Sequence, residues 1–153
     1  MDDKIYAKVL RFLTIRPRSE KEVTDYLTKK KINDAESLLI LDRLKKQKFL
    51  DDKAFAVWYI KSRKTFKPKG ERLIRFELKQ KGITKEIIDT VLQNFQESLP
   101  TDEENAKEIL FRKKKKYEGL SRNERFQKAG SMLARRGYDL DTIKQVIDEV
   151  FGK

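Results

Sequence analysis

The chain has 153 residues, of which 41% are charged and 38% are hydrophobic. Its 37 Lys and Arg residues outnumber 25 Asp and Glu residues, and the formal net charge of +12 favours a polyanionic partner such as nucleic acid, an acidic membrane surface or an acidic protein groove. Because the chain contains no Cys and no His, thiol catalysis, Ser-His-Asp arrangements and the usual Cys/His zinc sites are excluded. No apolar run is long enough for a signal peptide or a membrane span, so we expect a soluble, cytoplasmic protein.

Apolar residues recur at helical spacing along almost the whole chain, and no segment alternates long enough to predict a strand. A first helix is predicted over residues 4–15, and Pro17 interrupts the pattern because proline lacks a backbone amide. Its inner face is assigned to Ile5, Val9, Phe12 and Leu13.

Two further helices complete the first third of the chain. Ser19 and Glu22 have the spacing of a capping box at the start of the second helix, and the third helix follows Asp34. Their inner faces are assigned to Val23, Tyr26 and Leu27, and to Leu38, Leu41 and Leu44.

The middle of the chain opens with the adjacent acids Asp51 and Asp52. Adjacent carboxylates can indicate a metal site, but these precede a helix, where capping and dipole compensation explain them. That helix carries Phe55, Tyr59 and Ile60 on its inner face. Pro68 then breaks the pattern, and a helix is predicted over residues 71–81, with Gly82 as its stop and Thr84 as the cap of the next helix.

The last third begins after a joint at residues 96–101. One helix is predicted from Asp102 to about Tyr117, ending in a run of basic residues. A second helix is expected to end at Gly137, and a last helix to begin after Asp139 or Asp141.

The second helices of these three segments align without gaps. Pro17, Glu20, Val23, Leu27 and Lys30 stand at the same offsets as Pro68, Glu71, Ile74, Leu78 and Lys81, and the third segment repeats the last three as Ala129, Leu133 and Arg136. We therefore predict an all-α protein of three tandem three-helix repeats that form an elongated, curved scaffold. The predicted repeats are residues 1–50, 51–97 and 98–153.

Enzyme signatures are absent: the sequence has no phosphate-binding glycine loop, no dinucleotide fingerprint and no G-x-S-x-G elbow. We expect no catalytic residue, no metal site and no cofactor. A metal-dependent nuclease that uses Asp51 and Asp52 stays a distant alternative.

The positions of the basic residues are more informative. On the helix over residues 71–81, Arg72, Arg75 and Lys79 share the face opposite Leu73, Ile74 and Leu78. The preceding turn adds further cations, so we predict a positive surface suited to phosphates or carboxylates. Phe76 lies near this face, and we interpret it as packing between neighbouring repeats rather than as stacking on a base.

The sequence resembles the bacterial RecX family, whose members modulate the RecA recombinase. The resemblance covers nearly the whole chain. It is carried by VLRFLTIRPRSEKEVTDYL in the first repeat, by FLDDKAFAVWYIKSRK and KGERLIRFELKQKGI in the second, and by MLARRGYDLDTIKQVI in the third. The turn Phe66-Lys67-Pro68 and Phe76 depart from the family pattern.

The resemblance implies a crescent-shaped monomer without catalytic residues that lodges in the groove of the RecA–single-stranded DNA filament. There it would restrain ATP hydrolysis, strand exchange and filament growth, as a regulator of homologous recombination, DNA repair and the SOS response. Double-stranded DNA is a further candidate ligand, and no membrane partner is expected. The basic surface of the family corresponds here to Arg63, Lys67, Lys69, Arg72, Arg75 and Lys79. The flanking candidates are Arg16, Arg18, Lys113, Lys114, Lys115, Lys116, Arg135 and Arg136.

One alternative stays open: a stand-alone DNA-binding protein of the helix-turn-helix type, because three-helix repeats resemble such modules. That class needs one recognition helix with base-reading side chains, and often a dimer. In this sequence the basic residues are spread over all three repeats, and no separate dimerisation helix is visible.

Overall fold

The computed structural model describes residues 3–152, and over that range the chain forms ten α-helices and no strand. The helices are α1 (Asp3–Ile15), α2 (Glu20–Lys29), α3 (Asp34–Lys46), α4 (Asp52–Thr65), α5 (Glu71–Gln80), α6 (Lys85–Asn94), α7 (Asp102–Arg112), α8 (Lys114–Tyr117), α9 (Arg122–Arg135) and α10 (Leu140–Phe151). The predicted all-α class is confirmed. The elongated, curved arrangement and the three repeat boundaries stay predictions, and residues 1, 2 and 153 of those repeats lie outside the described range.

The chain divides into two compact units. The N-terminal compact unit comprises Met1–Tyr59, described from Asp3 onward, and Leu78–Val91. The C-terminal compact unit comprises Ile60–Glu77 and Leu92–Lys153, described as far as Gly152. Helices α4 and α5 therefore contribute one part to each unit.

The core of the N-terminal compact unit is built from the inner faces of α1, α2 and α3. Its buried members are Ile5, Tyr6, Val9, Val23, Leu27, Ile40, Leu44 and Leu50. The rings of Phe12 and Tyr26 stack at its edge with centroids 4.5 Å apart. These contacts confirm the faces predicted for α1 and α2.

The predicted inner face of α3 is wrong at one position. Leu38 is 67% exposed, whereas Ile40 is fully buried beside Leu44. Four consecutive apolar residues, Leu38 to Leu41, leave the rotational phase of this helix undetermined by spacing alone. In the structure the helix is turned so that Ile40 and Leu44, four residues apart, face the core.

The core of the C-terminal compact unit is built from α7, α8, α9 and α10. Its buried members are Ala106, Ile109, Leu110, Tyr117, Ala129, Met132, Leu133, Tyr138, Ile143, Val146 and Ile147. The single helix predicted from Asp102 to Tyr117 is wrong, because α7 ends at Arg112 and the short α8 begins at Lys114. The break at Lys113 accompanies the burial of Tyr117, which is 3% exposed.

Short polar side chains cap the helices largely as the sequence indicates. Ser19 and Glu22 form the predicted capping box. Asn33, rather than Asp34, caps α3, and Asp139, rather than Asp141, caps α10. Each side chain accepts a hydrogen bond from an amide that the helix itself cannot satisfy.

The adjacent acids at the start of α4 cap two different helices. The Asp51 carboxylate accepts from the amides of Lys53 at 2.9 Å and Ala54 at 3.3 Å, both in α4. The Asp52 carboxylate accepts from the amide of Glu20, the first residue of α2, at 2.8 Å. Capping therefore explains both acids, but Asp52 serves a helix of the preceding repeat.

A cap of the same kind is found in the next repeat. Asp102, the first residue of α7, accepts from the amide of Glu71, the first residue of α5, at 3.0 Å. The residue before α5 is Gly70, which has no side chain of its own to cap the helix. The first amide of each of these second helices thus donates a hydrogen bond to an aspartate that begins a later helix, 32 residues further along the chain for α2 and 31 for α5.

A close backbone contact accompanies the second of these caps. The amide of Gly70 donates to the carbonyl oxygen of Arg136 at 2.7 Å. A Cβ atom on Gly70 would lie 2.1 Å from the carbonyl oxygen of Gly137, and one on Gly137 would lie 2.4 Å from the Cβ of Leu73. Glycine at both positions lets the end of α9 lie directly against the start of α5.

We expect Gly70→Ala to lower the free energy of unfolding by about 3 kcal/mol, because the added methyl group meets backbone that has no rotamer with which to yield. Gly119→Ala is the matched control, since a Cβ there has no neighbour within 4 Å, and we expect a change below about 0.5 kcal/mol. Urea denaturation of both variants measures the difference. Equal stability of the two variants would contradict the close approach.

Candidate nucleic-acid interface

A basic groove of about 950 Å³ lies in the C-terminal compact unit. Seven basic side chains line it, against one acidic side chain, Glu108. The basic residues are Arg63, Lys64, Lys67, Lys69, Arg112, Lys113 and Arg136. Such an excess of one sign within a concave surface attracts phosphates or carboxylates.

One wall of the basic groove is the basic turn, residues 66–70, which joins α4 to α5. The Lys69 amide donates to the carbonyl oxygen of Arg63 at 2.9 Å. Between them Lys67 adopts a φ of +49°, a left-handed conformation that is uncommon for a residue with a side chain. Together with the hydrogen bond from Gly70, these constraints hold the turn in a defined conformation at the groove.

One face of α7 also lines the basic groove. Asn105, Glu108, Ile109 and Arg112 follow helical spacing and all line the basic groove. The buried Asn105 side chain donates to the carbonyl oxygen of Lys64 at 3.2 Å. This hydrogen bond ties α7 to the end of α4.

Three helices end at the basic groove. α4 ends at Thr65, α7 has Lys113 as its C-terminal cap, and α9 has Arg136 as its C-terminal cap. Cations at the carboxyl ends of helices offset the partial negative charge of the last carbonyl groups. Part of the positive charge is therefore used within the fold, and the remainder faces the groove.

Lys64 differs from the other lysines of the basic groove because it is buried, with 7% of its surface exposed. Its Nζ lies 3.9 Å from a Glu71 carboxylate oxygen and 4.0 Å from one of Asp102. Burial raises the pKa of Asp102, although the amide of Glu71 and the Lys64 ammonium act in the opposite direction. Lys64 is thus a structural cation whose charge is largely balanced by two carboxylates.

The structure brings together five of the fourteen residues predicted to bind a partner. Arg63, Lys67, Lys69, Lys113 and Arg136 all line the basic groove. Within that set the Lys69 ammonium pairs with Glu77 at 2.8 Å. Sequence reasoning did not select Arg112, although it begins the basic run and shares a helix face with Asn105.

Two further candidates share a second cleft of about 430 Å³ in the same compact unit. Lys116 and Arg135 line it together with Lys128, Gln127 and Ser131. The remaining lysines of the basic run, at positions 114 and 115, line neither the basic groove nor this cleft.

The basic face of α5 is present but lies outside the lining of the basic groove. Ile74 and Leu78 are fully buried, whereas Arg72 and Lys79 are exposed and Arg75 is half-buried. An Arg72 guanidinium nitrogen lies 3.4 Å from the carbonyl oxygen of Ala134, near the end of α9. The helical wheel therefore gave the orientation of α5 correctly, and the binding role of its basic face stays a prediction.

The interpretation of Phe76 as a packing residue is wrong, because its side chain is 57% exposed. It stands on α5 between Arg75 and Glu77, whose positions are half-buried. An apolar residue at the border of an amphipathic helix face can lie on either side of that border, and spacing alone does not decide which.

Arg16 and Arg18 lie in the N-terminal compact unit, and both are engaged within the fold. Arg16 forms a two-pronged ion pair with Glu22 and donates to the carbonyl oxygen of Pro17 at 2.7 Å. Arg18 donates to the carbonyl oxygen of Phe12 at 3.2 Å, and its guanidinium lies 3.8 Å from the centroid of that ring. These contacts give both arginines a structural role, whatever else they bind.

We expect Arg16→Ala to lower the free energy of unfolding by about 1.5 kcal/mol at neutral pH, because it removes charge-assisted hydrogen bonds to Glu22. Burial alone would raise the pKa of Glu22, but the hydrogen bonds from Arg16 and from the Ser19 amide bring it below its ordinary value. A lowered carboxyl pKa stabilises the fold above the unfolded pKa, and that contribution is lost as the pH falls through the folded pKa.

The loss of unfolding free energy in Arg16→Ala should therefore become smaller as the pH falls below the usual range of glutamate pKa values. Urea denaturation across the acidic pH range measures it. Arg11→Ala, an exposed arginine of α1, is the control and should change stability by less than about 0.5 kcal/mol. A deficit that stays constant with pH would show that the ion pair with Glu22 is not its source.

Two features are absent from residues 3–152. No helix in that range is both long enough and apolar enough to span a membrane. In the same range no group of three or more Asp or Glu side chains is arranged so as to hold a metal ion.

Three family models match successive parts of the chain. The model described as RecX, first three-helix domain, matches residues 6–44. The second three-helix domain of RecX matches residues 51–92, and the third matches residues 101–147.

Whole-chain comparisons agree with the family models. The chain is 33% identical over 149 residues to the "Regulatory protein RecX" of Oceanobacillus iheyensis, covering 96% of this chain and 53% of that relative. It is 32% identical over 152 residues to the protein of the same name from Chlorobium phaeobacteroides (strain BS1), covering 98% of this chain and 95% of that relative. The chain thus spans about half the length of some curated relatives and nearly all of another.

A solved structure gives the same result for the fold. The crystal structure of RecX from Lactobacillus salivarius matches with a TM-score of 0.81 and 25% identity, covering 97% of this chain and 95% of that one. Three successive domain matches, a relative matched over nearly its full length and a common fold lead to one conclusion: the chain belongs to the RecX family of regulatory proteins.

Proposed function

We propose that the protein is a non-enzymatic regulator that binds the RecA–single-stranded DNA filament and restrains its ATP hydrolysis, strand exchange and growth. Its relatives carry the name regulatory protein RecX. The observation that carries the proposal is the basic groove, which gathers seven basic side chains from three separate helix ends. A filament of recombinase on DNA offers a continuous row of phosphates to such a surface.

The chemistry of the basic groove suits phosphates held at short range. Arginine and lysine neutralise phosphates and release condensed counterions, so binding of this kind weakens steeply with salt. The hydrogen-bonded turn and the Asn105 hydrogen bond hold the backbone that carries several of these cations. Less conformational entropy is therefore lost on binding than for lysines on a loose loop.

The direct test is RecA ATPase activity on single-stranded DNA, measured with and without the protein. We expect inhibition by the wild-type protein at concentrations that saturate the filament. Lys67→Gln with Lys113→Gln removes two cations from the lining of the basic groove, one in the basic turn and one at the end of α7. This variant should inhibit the RecA ATPase more weakly than the wild type does. Its binding to the RecA–single-stranded DNA filament should also depend less on salt, with a slope reduced by about 1 to 2 in a plot of log affinity against log salt concentration.

The matched control is Lys8→Gln with Lys29→Gln, which removes the same charge from exposed positions of α1 and α2. It should inhibit like the wild type. Absence of inhibition by the wild-type protein would overturn the proposal. Tight, sequence-specific binding to duplex DNA without RecA would instead favour the stand-alone DNA-binding alternative.

The basic face of α5 is tested separately from the basic groove. We expect Arg72→Ala with Arg75→Ala to weaken filament binding several-fold while the melting temperature stays nearly unchanged, because Arg72 is exposed, Arg75 is half-buried and charged side chains near the surface add little to stability. Binding to RecA filaments and thermal denaturation are the two measurements. A large fall in melting temperature would show that these arginines are structural.

A further inference from the structure

Phe66 is the most exposed aromatic side chain of the basic groove, with 77% of its surface accessible. It follows directly on the last residue of α4, and its amide donates to the carbonyl oxygen of Ser62 at 2.9 Å. A single exposed apolar side chain is ordinary on a protein surface. Phe66 is distinguished by its surroundings, because it lines a groove together with seven basic residues.

An exposed aromatic ring beside several cations has a specific chemical use. Proteins that bind single-stranded nucleic acid stack bases on aromatic side chains and hold the intervening phosphates with Lys and Arg. Arg63, Lys67 and Lys69 stand within three residues of Phe66 in the sequence and line the same groove. Both parts of such a site are therefore present on one short segment.

The conformation of the basic turn limits where the ring of Phe66 can go. Lys67 holds a left-handed backbone conformation, and the next residue is Pro68, whose φ is fixed by its ring. The Lys69 amide is bonded to Arg63, and the Gly70 amide to Arg136. With its backbone held at both ends of the turn, Phe66 has a fixed Cα–Cβ direction and only its side-chain rotamers left to choose.

The size of the basic groove is adequate for this purpose. Its volume of about 950 Å³ is at the upper end of the range of about 300–1,000 Å³ that is typical of small-molecule and cofactor sites. Apolar side chains of Pro68, Pro100 and Ile109 also line it. The groove thus offers both apolar and cationic surface, as the face of a base and its flanking phosphates require.

We propose that Phe66 stacks on an unpaired base while the cations of the basic groove hold the phosphates beside it, so that this groove selects single-stranded over double-stranded nucleic acid. In a duplex the faces of the bases are already stacked on each other, so the ring finds no exposed base face. This inference rests on the proposed function, because it places the DNA strand of the filament in the basic groove.

The test measures binding by the protein alone, without RecA, to three labelled ligands of equal length: oligo(dT), an abasic strand with the same phosphates, and a duplex. We expect Phe66→Ala to weaken binding to oligo(dT) about tenfold, in line with the loss of one base–aromatic stack. Binding to the abasic strand and to the duplex should stay unchanged. Phe66→Trp should bind oligo(dT) at least as well as the wild type.

Phe111→Ala is the matched control, because Phe111 is 65% exposed but lies outside the lining of the basic groove. It should leave all three affinities unchanged. Since both phenylalanines are exposed, neither alanine variant should alter the melting temperature appreciably.

Three results would overturn the inference. An unchanged affinity of Phe66→Ala for oligo(dT) would show that no base stacks on the ring. An equal loss of affinity for the abasic strand would show that Phe66 contributes to binding the sugar-phosphate backbone of the strand and not to stacking on a base. Lost inhibition of RecA ATPase with unchanged oligo(dT) binding would place Phe66 against a protein surface. In each case, inhibition of RecA by the wild-type protein is read independently, so the proposed function stands or falls by its own measurement.

Discussion

The hydrogen bond from the Gly70 amide to the carbonyl oxygen of Arg136 is the contact on which the basic groove depends. It joins the last residue of the basic turn to the end of α9, and the absence of a side chain at Gly70 allows the approach. Arg136 reaches the groove because α9 ends there. The Asp102 cap on α5 and the Asn105 bond to Lys64 hold α7 against the same region. These three hydrogen bonds bring the cations of the groove together, and each of them has a backbone amide or carbonyl group as a partner.

The N-terminal compact unit shows a related contact with a different outcome. There the end of α5 approaches the start of α2, and the Lys21 ammonium donates to the carbonyl oxygen of Gln80 at 2.9 Å. The turn before α2 also contains two arginines around a proline, as the basic turn has two lysines. Arg16 pairs with Glu22, however, and Arg18 covers the ring of Phe12. Both arginines of the first turn thus have partners within the fold, whereas in the basic turn Lys69 pairs with Glu77 and Lys67 is exposed and lines the basic groove.

Much of the fold could be predicted from the sequence because local signals determine it. Proline breaks, glycine stops and polar caps mark the ends of the helices, and helical spacing marks most inner faces. The errors have a common cause. The four apolar residues starting at Leu38 leave the phase of α3 open, and the break at Lys113 accompanies the burial of Tyr117 in a core formed with distant helices. In both places the local sequence fits two conformations, and tertiary packing decides which of them forms.

The candidate site could be predicted less well for a related reason. A sequence shows where cations stand on a helix, but it does not show which carboxylates lie against them. Lys64 is balanced by Asp102 and Glu71, and Lys69 by Glu77. The helical wheel gave most weight to α5, whereas the basic groove is assembled from the ends of three other helices. The binding roles of all fourteen candidate residues remain predictions, and so do the boundaries of the repeats.

The caps that Asp52 provides to α2 and Asp102 provides to α5 also bear on the order in which contacts can form during synthesis. The amide of Glu20 is completed by a carboxylate 32 residues further along the chain, and that of Glu71 by one 31 residues further. Because a ribosome makes the chain from its N-terminus, these two hydrogen bonds can form only after the start of α4 and the start of α7, respectively, have been synthesised. The interval is nearly the same at both places, so α2 and α5 each gain this cap after about the same further length of chain has been made.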